Sequence, residues 1–168
     1  VEDEFVMREG IKNNIDWASH GYEFCGEAGD GEVAYPMIQK CKPDIVITDI
    51  RMPFMDGLEL SKLIKKEMPW IEIIILTGFE EFAYAKEAIK LGVAQYLSKP
   101  ISGDELLQEL DQLAEKIREK KKEMEERKRQ EELEKQKRNE TYQLLGGSQN
   151  DSDTDDDSSL EGNIQQLE

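Results

Sequence analysis

Apolar residues fall along this chain in two alternating rhythms. Short unbroken runs, Ile45-Val46-Ile47 and Ile73-Ile74-Ile75-Leu76, have the length and branching of strands buried on both faces. Shorter strands are expected at 22–26 (Tyr22-Glu23-Phe24-Cys25-Gly26) and 94–97 (Ala94-Gln95-Tyr96-Leu97). Between them lie amphipathic segments at 5–17, with Ile11 and Ile15 on one face, and at 30–40, 58–67 and 81–91. Strand and helix alternating at this spacing predict βα units, hence an α/β protein with a doubly wound parallel sheet of five strands.

Local signals refine the elements. Asp56-Gly57 reads as a turn and as the cap of the helix 58–67. Pro36 sits within 30–40, where it removes a backbone donor at a cost of about 3 kcal/mol, so a bend or a shortened helix is expected there. The first strand is represented only by its last residue, Val1, and is read as truncated. A central strand cut in this way leaves its neighbours with unpaired backbone groups. The chain therefore reads as a piece of a longer protein, and on its own as a marginally stable or misfolded version of this fold.

Past residue 103 the composition changes. The stretch 104–140 lacks Gly and Pro and is dense in Glu, Lys, Arg and Gln, which favours one long helix. Leu106, Leu110, Leu113, Ile117 and Met124 form either a short coiled-coil seam, with a homodimer along 104–124, or a face packed on the chain's own sheet. Beyond Met124 the helix reads as a solvated spacer. The stretch 141–168 has no Lys or Arg and reads as a disordered acidic tail. Its Asp-rich run lacks the Gly and terminal Glu of an EF-hand, so a calcium site is rejected. Three regions result: a globular domain at 1–103, an extended charged helix at 104–140 and the tail at 141–168.

Charge and composition narrow the function. A formal net charge of −16 argues against this chain gripping nucleic acid by itself, so DNA enters only through an output domain absent from this chain. No run of 18 apolar residues exists, so no membrane-spanning helix is expected, and two cysteines read as reduced make the cytoplasm the expected location. Cys25 and Cys41 make no metal motif and read as small buried hydrophobes, while His20 reads as a surface loop residue.

The strand ends carry the chemistry. Asp49 closes the run Asp44-Ile45-Val46-Ile47-Thr48-Asp49, at the C-terminal strand edge where open α/β sheets place their ligands. Val1-Glu2-Asp3-Glu4 offers oxygen ligands for a hard cation such as Mg²⁺. Thr77-Gly78 supplies a hydroxyl at a third strand end, and Lys99-Pro100 a cation at a fourth. An acidic pair, an acceptor carboxylate, a hydroxyl and an ammonium are the parts phosphoryl transfer to a carboxylate needs.

With these motifs the chain resembles the receiver domain of bacterial two-component response regulators, over about residues 1–103. The matching stretches are Val1-Glu2-Asp3-Glu4, the run from Lys42-Pro43-Asp44 to Asp56-Gly57, Leu76-Thr77-Gly78 and Tyr96-Leu97-Ser98-Lys99-Pro100. Arg8-Glu9-Gly10, Ile15-Asp16-Trp17 and Phe82-Ala83-Tyr84-Ala85 are similar to receivers that precede AraC-type DNA-binding domains. The resemblance implies a flavodoxin-like sheet of order 2-1-3-4-5. It implies that Asp49 accepts a phosphoryl group from a sensor histidine kinase to control an output such as transcription. It further implies Mg²⁺ held by Glu2, Asp3, Asp49 and the carbonyl of Arg51, phosphoryl contacts from Thr77 and Lys99, and Tyr96 as an aromatic switch that turns inward on phosphorylation. Glu2 departs from the aspartate common in the family. Such a module is a kinase substrate rather than an enzyme.

Two rivals stand beside this reading. A phosphatase of the haloacid dehalogenase type also uses a strand-end aspartate with Mg²⁺, a Thr and a Lys, but needs a second aspartate two residues later, where this chain has Arg51. The other is a receiver-like module that is never phosphorylated and serves only as a dimerisation scaffold through 104–140.

Overall fold

The computed structural model describes residues 1–78 and 82–146. Its elements in order are α1 (Phe5–Asn13), α2 (Gly31–Cys41), β1 (Ile45–Asp49), α3 (Gly57–Glu67), β2 (Glu72–Thr77), α4 (Phe82–Leu91), β3 (Gln95–Ser98) and α5 (Gly103–Gly146). The three strands form a parallel sheet in the order β1-β2-β3, with Asp49 opposite Leu76 and Thr77 opposite Ser98. That register brings the C-terminal ends of all three strands to one edge.

The alternation of side chains along β2 divides the core. Ile73 and Ile75 face Ala34, Ile38, Leu60, Ile64 and Ala88 of α2, α3 and α4. Ile74 and Leu76 face Ile15 and the leucines Leu106, Leu107, Leu110 and Leu113 of α5. Helices cover both faces, as the unbroken apolar runs require. The leucines at the start of α5 are thus spent on the chain's own sheet, and Val1–Arg118 form one compact unit.

The expected five-stranded sheet is not complete among the described residues, where three strands form. Residues 22–26 take no strand structure. A strand exists only through a neighbour, and here that neighbour is reduced to Val1 and Glu2. The Val1 ammonium donates to the Ile47 carbonyl at 2.6 Å, the Asp49 amide donates to the Val1 carbonyl at 2.9 Å, and the Glu2 amide donates to the Ala28 carbonyl at 3.0 Å. This thread still lies between the 22–28 segment and β1, as the order 2-1-3-4-5 requires. Tyr22 anchors its segment by a side chain instead, its hydroxyl donating to Asp111 Oδ1 at 2.7 Å.

Other boundaries shift for local reasons. The first helix stops at Asn13 rather than 17, at the poor helix formers Asn13-Asn14. The second runs unbroken through Pro36 to Cys41, neither shortened nor interrupted, because Pro36 and Glu32, whose carbonyl loses its partner, both lie on the solvent side. Asp56 caps α3 in a capping box with Glu59, as its position suggests, a feature that contributes about 1 kcal/mol. The long helix continues to Gly146, so 141–146 is helical rather than disordered; 147–168, the rest of the expected tail, lies outside the described residues. Cys25 and Cys41 are exposed, not buried. His20 is exposed in the turn after α1.

Candidate functional site

Asp49 is held at the edge of the sheet by its own strand. It is 6% exposed, and its Oδ1 accepts from the Ile50 amide at 2.7 Å. The turn that follows closes tightly over it. The Gly57 amide donates to the Ile50 carbonyl at 2.8 Å, and a Cβ on Gly57 would lie 1.9 Å from the Asp49 carbonyl oxygen. The Asp-Gly pair was legible as a turn, but this contact with the Asp49 backbone was not.

Glu2 arrives beside Asp49 because Val1 is bonded to β1. It is 2% exposed, and the Arg8 guanidinium donates to its backbone carbonyl at 2.6 Å. Lys99, one residue past β3, places its ammonium 2.8 Å from Glu2 Oε2 and 2.9 Å from Asp49 Oδ2. Its amide donates to the Thr77 carbonyl at 2.7 Å, which ties the lysine to the end of β2. The Lys99-Pro100 bond is cis.

The electrostatics follow from burial against pairing. Burial raises the Glu2 carboxyl above its ordinary value, and Lys99 opposes the shift. Burial alone would lower the Lys99 ammonium, but bonds and charge from Glu2 and Asp49 outweigh it and raise the value. One cation therefore serves two carboxylates.

Asp3 is exposed and completes the acidic group. Single carboxylate oxygens of Glu2, Asp3 and Asp49 lie within 4.8 Å of one another. Glu2 Oε2 is buried with no hydrogen bond beyond its ion pair with Lys99. Three carboxylates with spare oxygen lone pairs fit a hard divalent cation. Arg51 is outside this group and its side chain is exposed, so its backbone carbonyl is all it can offer.

Thr77 is 2% exposed at the end of β2. Its Oγ1 donates to the Gly78 carbonyl at 3.2 Å and accepts from the Tyr96 hydroxyl at 3.2 Å. The Tyr96 ring is partly buried and packs against the core. Sequence reasoning missed Arg8 and the Ile50 amide as supports of the acidic residues. Arg8 had a motif context but no partner legible by spacing, and a backbone amide has no sequence signal.

The model of the response regulator receiver domain matches residues 1–111, and the chain belongs to that family. It is 41% identical over 118 residues to the uncharacterized transcriptional regulatory protein YesN of Bacillus subtilis (strain 168), covering 70% of this chain and 32% of that protein. It is 37% identical over 105 residues to the transcriptional regulatory protein HptR of Staphylococcus aureus (strain N315), covering 62% of this chain and 41% of that protein. The chain thus spans less than half the length of these curated relatives. The REC domain of AraT, a response regulator from Geobacillus stearothermophilus, superposes with a TM-score of 0.62 at 39% identity, over 74% of this chain and 93% of that one. A two component transcriptional regulator AraC from Clostridium phytofermentans ISDg gives a TM-score of 0.63 at 30% identity, over 73% and 94%. The chain is accordingly a receiver domain of two-component signalling. Among the described residues no helix is long and apolar enough to cross a membrane.

Proposed function

We propose that Asp49 is the phosphoacceptor of this receiver, taking its phosphoryl group from a phosphohistidine of a sensor histidine kinase. The observation that carries the reading is the Lys99 ammonium held against both Glu2 and Asp49, with Asp3 in ligating reach. The Ile50 amide fixes Oδ1 and leaves Oδ2, on the lysine side, to attack phosphorus as the P–N bond to histidine breaks. Lys99 then balances charge on the transferred oxygens, and the Thr77 hydroxyl contacts one of them in exchange for its bond to Gly78. Glu2, Asp3 and Asp49 would hold Mg²⁺, with the Arg51 carbonyl as a further oxygen, and the ion would supply neutralising charge for the same oxygens. The module is a signalling substrate, not an enzyme, and works in the cytoplasm.

Its output, DNA binding by a domain outside this chain, rests on the names of the relatives. A homodimer along 104–124 would use the exposed positions of α5, because Leu106, Leu107, Leu110 and Leu113 are buried in the module's own core. The scaffold reading leaves the Lys99 arrangement without a use, and the phosphatase reading lacks its second acid, since Arg51 stands in that place. The test is labelling by a small-molecule phosphodonor with Mg²⁺, followed by intact mass. The parent should gain one phosphoryl group and Asp49→Asn none; labelling that persists in the variant refutes the assignment.

A further inference from the structure

Cys25 and Cys41 take no part in the site around Asp49, yet the fold brings them together from opposite ends of α2 and the segment before it. The Cys41 thiol donates to the Cys25 carbonyl at 3.7 Å, which brings its sulfur against the backbone of Cys25. Both residues are exposed, so small solutes reach them. Cys41 is the last residue of α2, where the chain turns through the left-handed Lys42, and Cys25 lies in a segment that has no strand pairing. With α2 holding Cys41 in place, the unpaired segment that carries Cys25 is the part that adjusts to reach the geometry of a disulfide.

We propose that Cys25 and Cys41 are a redox-active dithiol that closes to an intramolecular disulfide, stapling the 22–28 segment to the end of α2. The oxidant is a small-molecule disulfide. The Cys41 thiolate attacks one of its sulfurs and releases one small thiol, leaving Cys41 in a mixed disulfide. Cys25, as thiolate, then attacks the Cys41 sulfur and releases the second small thiol. Two protein thiols are oxidised by two electrons, one small disulfide is reduced to two thiols, and the protein's two protons end on those thiols. Partial desolvation, then the neighbouring Cys41, hold the Cys25 thiol above its ordinary value, which disfavours it as the first nucleophile and suits it to the resolving step.

The staple bears on the acidic site through one bond. The Ala28 carbonyl that accepts from the Glu2 amide lies three residues beyond Cys25, in the segment the disulfide fixes.

The experiment treats the full chain with oxidised glutathione, natively and in urea, and follows mass and peptide maps. The native parent should lose about two mass units and yield a Cys25–Cys41 cross-linked peptide, faster than in urea, where the pair is no longer held together. Cys25→Ser should instead retain glutathione on Cys41. A parent that keeps stable glutathione adducts, links only between chains, or closes no faster natively than in urea overturns the proposal.

Discussion

Gly57 lies so close over Asp49 that a Cβ at position 57 would sit 1.9 Å from the Asp49 carbonyl oxygen. The residue that starts α3 thereby fixes the backbone of the proposed acceptor. No neighbouring side chain can yield, since the obstacle is main chain.

Gly57→Ala should therefore move the turn or β1. We expect a loss of about 2 kcal/mol or more, by analogy with overpacked cores, together with slower phosphoryl uptake. Thermal melting beside phosphodonor labelling checks both, and a variant that melts and labels like the parent would show that the turn yields freely.

Lys99→Met removes the cation that Glu2 and Asp49 share. Truncating one partner of such a buried pair costs about 3 kcal/mol at neutral pH. Without Lys99 to oppose burial, the raised Glu2 carboxyl rises further. A carboxyl whose folded value is raised holds its proton more tightly in the folded state, so stability falls as pH rises from the ordinary 4.5 through that raised value. The variant's melting temperature should drop more steeply than the parent's from pH 4.5 toward neutrality, and parallel profiles would contradict the shared-cation picture.

Mg²⁺ should stabilise the parent by mass action, by about 2.7 kcal/mol at a hundredfold excess over its dissociation constant. Glu2→Gln removes one ligand charge and relieves a buried carboxylate. Its metal-free melting temperature should match or exceed the parent's, while the Mg²⁺-induced rise shrinks. Equal Mg²⁺ shifts in the two proteins would exclude Glu2 from the metal site.

Tyr96→Phe keeps the ring in the core and deletes its bond to Thr77, at a cost of about 1 kcal/mol. Phosphoryl uptake should survive, because the Thr77 hydroxyl itself remains. Calorimetry and labelling together test this; loss of uptake would mean that Tyr96 takes part in the transfer.

Much of this was legible because the signals were local. The runs 45–47 and 73–76 announced strands buried on both faces, and Asp56 announced its cap. Asp49, Glu2 and Lys99 could be brought together because three parallel strand ends must share one edge. What failed depended on partners that sequence spacing does not reveal. Tyr22 to Gly26 has strand composition, but a strand is made by its neighbour. Leu106 and Leu110 fit a dimer seam and a sheet face equally well, and only the packing of Ile74 and Leu76 decides between them. The cysteines looked like core residues because their type is usually buried, and they are not.

The most direct measurement is chemical trapping of the phosphorylated chain. After treatment with phosphodonor and Mg²⁺, borohydride reduces an aspartyl phosphate to homoserine, and peptide sequencing locates it. Homoserine should appear at position 49 and nowhere else; its appearance at another carboxylate, or its absence from a chain that has taken up phosphate, would contradict the account.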